Sequence, residues 1–185
     1  MRHLVFWIIA FGAAFSAFAT HVDDKVSAVE NHLTPLERLA GEWMVHGKWN
    51  NGDELQARNV YEWGLGKTIL KAKTYVKTDK GEYQRYEAVM AWHPKKKSLF
   101  IVSFSFDGNM TENLIEPKDA DTLQIGFSPF HQEEPGKVRQ IIQFKEKDHF
   151  TWQVFVQNDK NWQEIINATW ERKAHEQLAS RQRLN

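Results

Sequence analysis

From residue 42 to residue 172 the chain alternates polar and apolar side chains with a period of two, and turn signals interrupt the rhythm every roughly eight to twelve residues. Trp43, Val45, Gly47 and Trp49 alternate with Met44, His46 and Lys48 before the hairpin signal Asn50-Asn51-Gly52-Asp53. Leu55, Ala57, Tyr61 and Trp63 alternate with Gln56, Arg58, Val60 and Glu62, and Gly64-Leu65-Gly66-Lys67 turns the chain back. Leu70, Ala72, Thr74 and Val76 then oppose Lys71, Lys73 and Lys77, up to the turn Thr78-Asp79-Lys80-Gly81. Further strands are expected at 83–92, 99–106, a stretch ending near 116, 123–127, 138–145, 150–157 and 162–172. Residues 99–106 read as apolar enough for burial on both faces, and 129–137 as the longest and most polar loop. About ten strands joined by short turns form a meander, and a meander protects its edges best by closing into an antiparallel up-and-down barrel. An open two-sheet sandwich is the alternative.

The N-terminus reads as an export signal. Arg2 and His3 precede an apolar stretch over 4–15, and Ser16-Ala17-Phe18-Ala19 supplies the small residues a signal peptidase reads, with cleavage after Ala19. That stretch is shorter than the roughly 18 to 20 residues a spanning helix needs. The expected division is a signal peptide at 1–19, a helical lead-in at 20–41, a barrel domain at 42–172 and a polar tail at 173–185. In the lead-in, Val22, Val26, Val29 and Leu33 share a helical face, and Thr34-Pro35-Leu36-Glu37 reads as a capping box opening a two-turn helix that stops at Gly41. The setting implied is the periplasm or the exterior, with no membrane association after cleavage. The charges on one strand face (Lys48, Arg58, Glu62, Lys71, Lys73 and Lys77) argue against an outer-membrane barrel, whose outward face is apolar.

Cysteine is absent, which excludes both a lipid anchor on cysteine and disulfide staples, so the fold must rest on its core. Lys plus Arg and Asp plus Glu number 24 each, and the only basic triplet, Lys95-Lys96-Lys97, sits in a predicted turn. Nucleic acid is therefore not an expected partner.

Leu39-Ala40-Gly41-Glu42-Trp43, followed by Gly47 and Trp49, resembles the opening of lipocalin-like (calycin) barrels. The resemblance implies that Trp43 closes the barrel base against a late arginine: Arg172 by position, or Arg139. The segments Asn59-Val60-Tyr61-Glu62-Trp63-Gly64, Tyr83-Gln84-Arg85-Tyr86-Glu87, Ala91-Trp92-His93-Pro94 and Ala168-Thr169-Trp170 are also similar to an exported bacterial family of unknown function, over roughly 34–172. That family implies a fold and a bacterial periplasmic setting but no reaction. A more distant likeness is to nitrobindin, whose haem iron is held by a histidine on the last strand. Here residues 162–172 contain no histidine, and the nearest are His149 and His175. Haem is accordingly disfavoured and no cofactor is expected.

The tryptophans carry the functional reading. A flat apolar ring with one N–H donor suits a ligand cavity. The expected interior wall is Trp49, Tyr61, Trp63, Met90 and Trp92, with Asn59 as its polar reader, and the expected ligand is an apolar or amphipathic small molecule. One alternative is a barrel-type isomerase or hydrolase using Arg85, Glu87 or His131 of the polar loop, and another is a filled barrel that works through its surface. Arg85 and Glu87 share a face with Tyr83 and Val89, and the more apolar opposite face directs them outward. His21, His32, His46, His93, His131, His149 and His175 never lie within four residues of one another, so no strand or helix supplies two metal ligands and no metal is expected. Gly66-Lys67-Thr68 imitates a phosphate-binding loop, but Tyr61 stands where its first glycine belongs and a strand follows. Ser103 and Ser105 lack a nucleophile elbow and read as strand residues, and Asp119 and Asp121 read as turn carboxylates.

Overall fold

The computed structural model describes residues 29, 31–127, 138–158 and 160–174. The expected signal peptide, most of the first helix, the loop bearing His131 and the tail from His175 lie outside the described residues.

Ten strands follow one short 3-10 helix, Thr34–Leu39. They are β1 (Gly41–Lys48), β2 (Glu54–Gly64), β3 (Ile69–Thr78), β4 (Gly81–His93), β5 (Ser98–Ser105), β6 (Met110–Pro117), β7 (Thr122–Phe127), β8 (Val138–Glu146), β9 (His149–Asn158) and β10 (Asn161–Arg172). Each pairs antiparallel with its sequence neighbour, and β1 pairs with β10, as Val45 opposite Trp170 shows. That last ladder closes the sheet and excludes the open sandwich. No edge is left for another chain to extend.

The period-two rhythm sorts the residues as expected. Trp43, Val45, Leu55, Ala57, Tyr61, Leu70, Ala72, Ala88 and Met90 are buried inside, and Lys48, Arg58, Glu62, Lys71, Lys73 and Lys77 occupy the outer face. Three local expectations are corrected. Thr34 is not the helix cap: the chain arrives already helical at 31–33, so Leu33 takes the cap position and no side chain bonds there. The segment itself winds as a 3-10 helix of six residues. Nor is the fifth strand buried on both faces: Phe104, 49% exposed, lies on the outer wall, and Phe106 in the following turn is 75% exposed.

The 3-10 helix floors the barrel. Leu33, Leu36 and Leu39 are fully buried beneath Trp43, whose Nε1 donates to Leu39 O at 2.7 Å. The Arg172 guanidinium stacks on the Trp43 ring at 4.1 Å and donates to Ala40 O and Arg38 O, tying the last strand to the lead-in. Gly41 is required here. Its φ is +122°, and a Cβ would stand 2.6 Å from Arg172 Nη1. Arg139, the alternative partner, points outward, with its guanidinium between Phe155 (4.8 Å) and Trp162 (4.6 Å).

Candidate functional site

The two ends of the barrel differ. At the floor, inward residues such as Leu70, Leu99, Ile115, Phe144 and Phe150 are buried. Toward the opposite end, where the 50–53 and 79–80 turns lie, Trp49, Thr74, Val76, Ser103, Gln140 and Trp152 also point inward yet stay half-buried. In a closed sheet, accessible surface on inward side chains means that the middle is open on that side. This half of the interior is the candidate site.

Its two walls have different chemistry. Along β1, β9 and β10 an aromatic column climbs from the floor: Trp43 edge-on to Phe150 (4.6 Å), Phe150 stacked with Trp170 (5.9 Å), Trp170 against Trp152 (6.2 Å), and Trp152 against Trp49 (6.1 Å). Trp152 Nε1 is held by Gln140 Oε1 at 2.9 Å. The other wall is small. The ladders set Tyr61 beside Ala72, Ala72 beside Ala88, Ala88 beside Ser103 and Ser103 beside Thr111. Along that line Tyr61, Ala72 and Ala88 are buried, and Ser103 and Thr111 are half-buried.

Asn59 and Tyr61 stand deep in the barrel, toward the floor: their partners on β1 are Trp43 and Gly41, and on β3 Thr74 and Ala72. Asn59 Nδ2 donates to the Tyr61 hydroxyl at 3.1 Å, while Asn59 Oδ1 is buried with no donor among the described residues. Trp170 Nε1 is likewise buried without an acceptor. Burial pushes the Tyr61 phenol up to about 12, against the smaller opposing effect of the Asn59 bond. The hydroxyl therefore keeps its proton at physiological pH. Unsatisfied buried polar atoms are costly, of order 1–3 kcal/mol each, and are uncommon in a finished core.

The residues expected to form the wall all lie on the inner face but are not gathered in one place. Asn59 and Tyr61 touch. Met90 is buried two strands away, in register with Leu70, and Trp49 stands at the open end against Trp152. Trp63 lies at the floor end of β2, next to its turn. Trp92 is also at the floor end, where its ring stacks on His32 at 3.8 Å. It lines an external groove of about 410 Å³ together with Pro35, Lys97, Ser98 and Lys118. Trp152, Gln140, Thr74 and Ser103 belong to the open half and were not assigned to the wall from sequence, although their alternation places them inside.

Arg85 and Glu87 do not enter the interior. Arg85 is an extra residue at a break in the β3–β4 ladder, between Thr74 opposite Tyr86 and Tyr75 opposite Gln84. Its guanidinium reaches Asp107 across the rim at 3.1 Å. Glu87 sits opposite Lys73 on the outer face. The break also inverts the face of what precedes it, so Tyr83 falls on the line of Val76 and packs against Phe106 at 5.7 Å. The described histidines do not line the interior. His46 and His149 lie on the outer face, His93 packs on Phe100, and His32 lies under Trp92.

The fold and site define a closed ten-stranded antiparallel barrel with one filled and one open half. No protein-family model matches the chain, and no curated protein matches it. Among solved structures, Rv2717c from M. tuberculosis is similar, with a TM-score of 0.52 and 12% identity over 77% of this chain and 98% of that one. A redesigned beta barrel, b11L5F_LGL, gives a TM-score of 0.41 at 13% identity, covering 74% of this chain and 93% of its own. EF1p2_mFAP2b bound to DFHBI gives 0.38 at 14% identity, covering 75% and 97%. At such identities the likeness to Rv2717c establishes the barrel fold and nothing of function.

Proposed function

We propose that the barrel interior, entered from its open half, binds an apolar or amphipathic small molecule, with Trp49 and Trp152 as a flat wall toward the mouth and the Asn59–Tyr61 pair, beside Trp43, as the polar anchor at the base. The supporting observation is the orphaned Asn59 Oδ1, a buried acceptor beside a phenol whose one hydrogen-bond partner among the described residues is the same amide. Such an arrangement costs stability in an empty protein and gains a partner when a ligand arrives. Titration with the neutral apolar dye Nile red tests the reading. Bound dye shifts its emission to the blue and quenches the tryptophans by energy transfer, and decanol displaces it. Absence of any dye uptake at micromolar protein removes the proposal.

Export belongs to the same reading. The basic start, the apolar stretch and the Ala17-Phe18-Ala19 site support cleavage of the leader before a periplasmic or secreted protein acts. N-terminal sequencing of the protein from the extracytoplasmic fraction should begin at Thr20, and a chain that still carries Trp7 contradicts export by cleavage.

A further inference from the structure

The chemical class of the ligand can be narrowed from the neutrality of the described interior side chains. Between the Trp43 floor and the rim, every described inward side chain is neutral: alanine, serine, threonine, aliphatic or aromatic residues, Asn59, Asn113 and Gln140. Among the described residues, the two charged groups nearest the ends are already engaged. Arg172 is stacked below Trp43 and paired with Asp148 at 3.2 Å, and Arg85 at the rim is paired with Asp107. An ionised ligand group entering this space would lose its hydration and meet no counter-charge among the described inward side chains, which carries a large penalty.

The Asn59–Tyr61 pair adds a second, independent constraint. With the amide as described, Nδ2 donates to the phenol oxygen, leaving the Oδ1 acceptor and the phenolic proton unmatched. With the amide turned over, the phenol donates to Oδ1, leaving an N–H donor and a phenol lone pair unmatched. In either orientation the pair retains one donor and one acceptor side by side. We infer that the ligand is an uncharged amphiphile whose polar end both donates and accepts a hydrogen bond, such as a primary amide, an alcohol or an un-ionised carboxylic acid, seated on Asn59 and Tyr61. This rests on the binding reading above.

Ligands of one chain length separate the two claims. Displacement of Nile red is measured at pH 8 with decanamide, decanol, decyl methyl ether, decanoate and decylammonium, using the full exported protein. Decanamide and decanol should bind about tenfold tighter than the ether, which cannot donate. Decanoate and decylammonium should bind at least about a hundredfold more weakly than decanamide. Decanoate should regain affinity as the pH falls through its own pKa. The Tyr61→Phe and Asn59→Leu variants should erase the preference for amide over ether while retaining Nile red. Decanoate binding at pH 8 as tightly as decanamide overturns the inference and leaves the binding reading intact, as does an unchanged amide preference in both variants. Failure of Nile red and every amphiphile alike overturns both.

Discussion

At the scale of single residues, Asn59 distinguishes a ligand anchor from a structural polar group. A buried amide that served the fold would be satisfied within it, whereas Asn59 Oδ1 has no donor among the described residues. Asn59→Leu keeps the volume and removes the orphan, so the urea midpoint should hold or rise by up to about 1 kcal/mol while amide binding is lost. A destabilisation beyond about 1 kcal/mol would make Asn59 part of the scaffold. Tyr61 gives a spectroscopic counterpart. Its phenol, pushed up to about 12, should appear at 295 nm as an absorbance step that Tyr61→Phe abolishes. The folded protein holds this proton more tightly than the unfolded chain, so the contribution is complete below the ordinary tyrosine value near 10 and fades as pH rises toward 12. Wild type should therefore lose up to about 2 to 3 kcal/mol more than Tyr61→Phe between those pH values in denaturant titrations. Gly41 acts at the same scale. Gly41→Ala places a methyl against Arg172 at a backbone angle alanine avoids, and should cost about 2 kcal/mol in urea unfolding.

At the scale of elements, the strands were legible because their alternation and turns agree at every step from Trp43 to Arg172. Asn59 inside, Arg58 outside and Met90 inside all follow from parity. Legibility ends where the backbone departs from ladder geometry. Nothing in Tyr83-Gln84-Arg85-Tyr86 announces the extra residue at Arg85, so Tyr83 reads as sharing a face with Arg85 and Glu87 when its strand partner is the inward Val76. Position along a strand is equally hidden. Parity puts Trp63 and Trp92 inside but cannot say that they stand at the floor, because the stagger between strands is a property of closure. The small wall was overlooked for a different reason: Ala72, Ala88 and Ser103 carry no chemical signal beyond their small size. The lead-in and last strand also act jointly. Trp43→Ala removes the ring on which Arg172 stacks and should cost about 3 to 5 kcal/mol, measured by urea unfolding.

For the whole molecule, stability and function are divided between the halves of one barrel. The floor half carries the buried core and the tie from Arg172 to the lead-in; the open half carries Trp49, Trp152, Thr74, Ser103 and Gln140, and the unmatched polar pair lies between them beside Trp43. Closure lets the protein leave half its interior open without exposing a strand edge, and the charged outer wall meets water. Native mass spectrometry of the protein, isolated from its producing cells without detergent or organic solvent, puts this division to the test most directly. The wild-type chain should carry a small neutral adduct that collisional activation releases as an uncharged molecule, and the Asn59→Leu, Tyr61→Phe double variant should fold and fly without it. A wild-type chain that repeatedly emerges bare, or an adduct equally abundant on the double variant, would contradict the account.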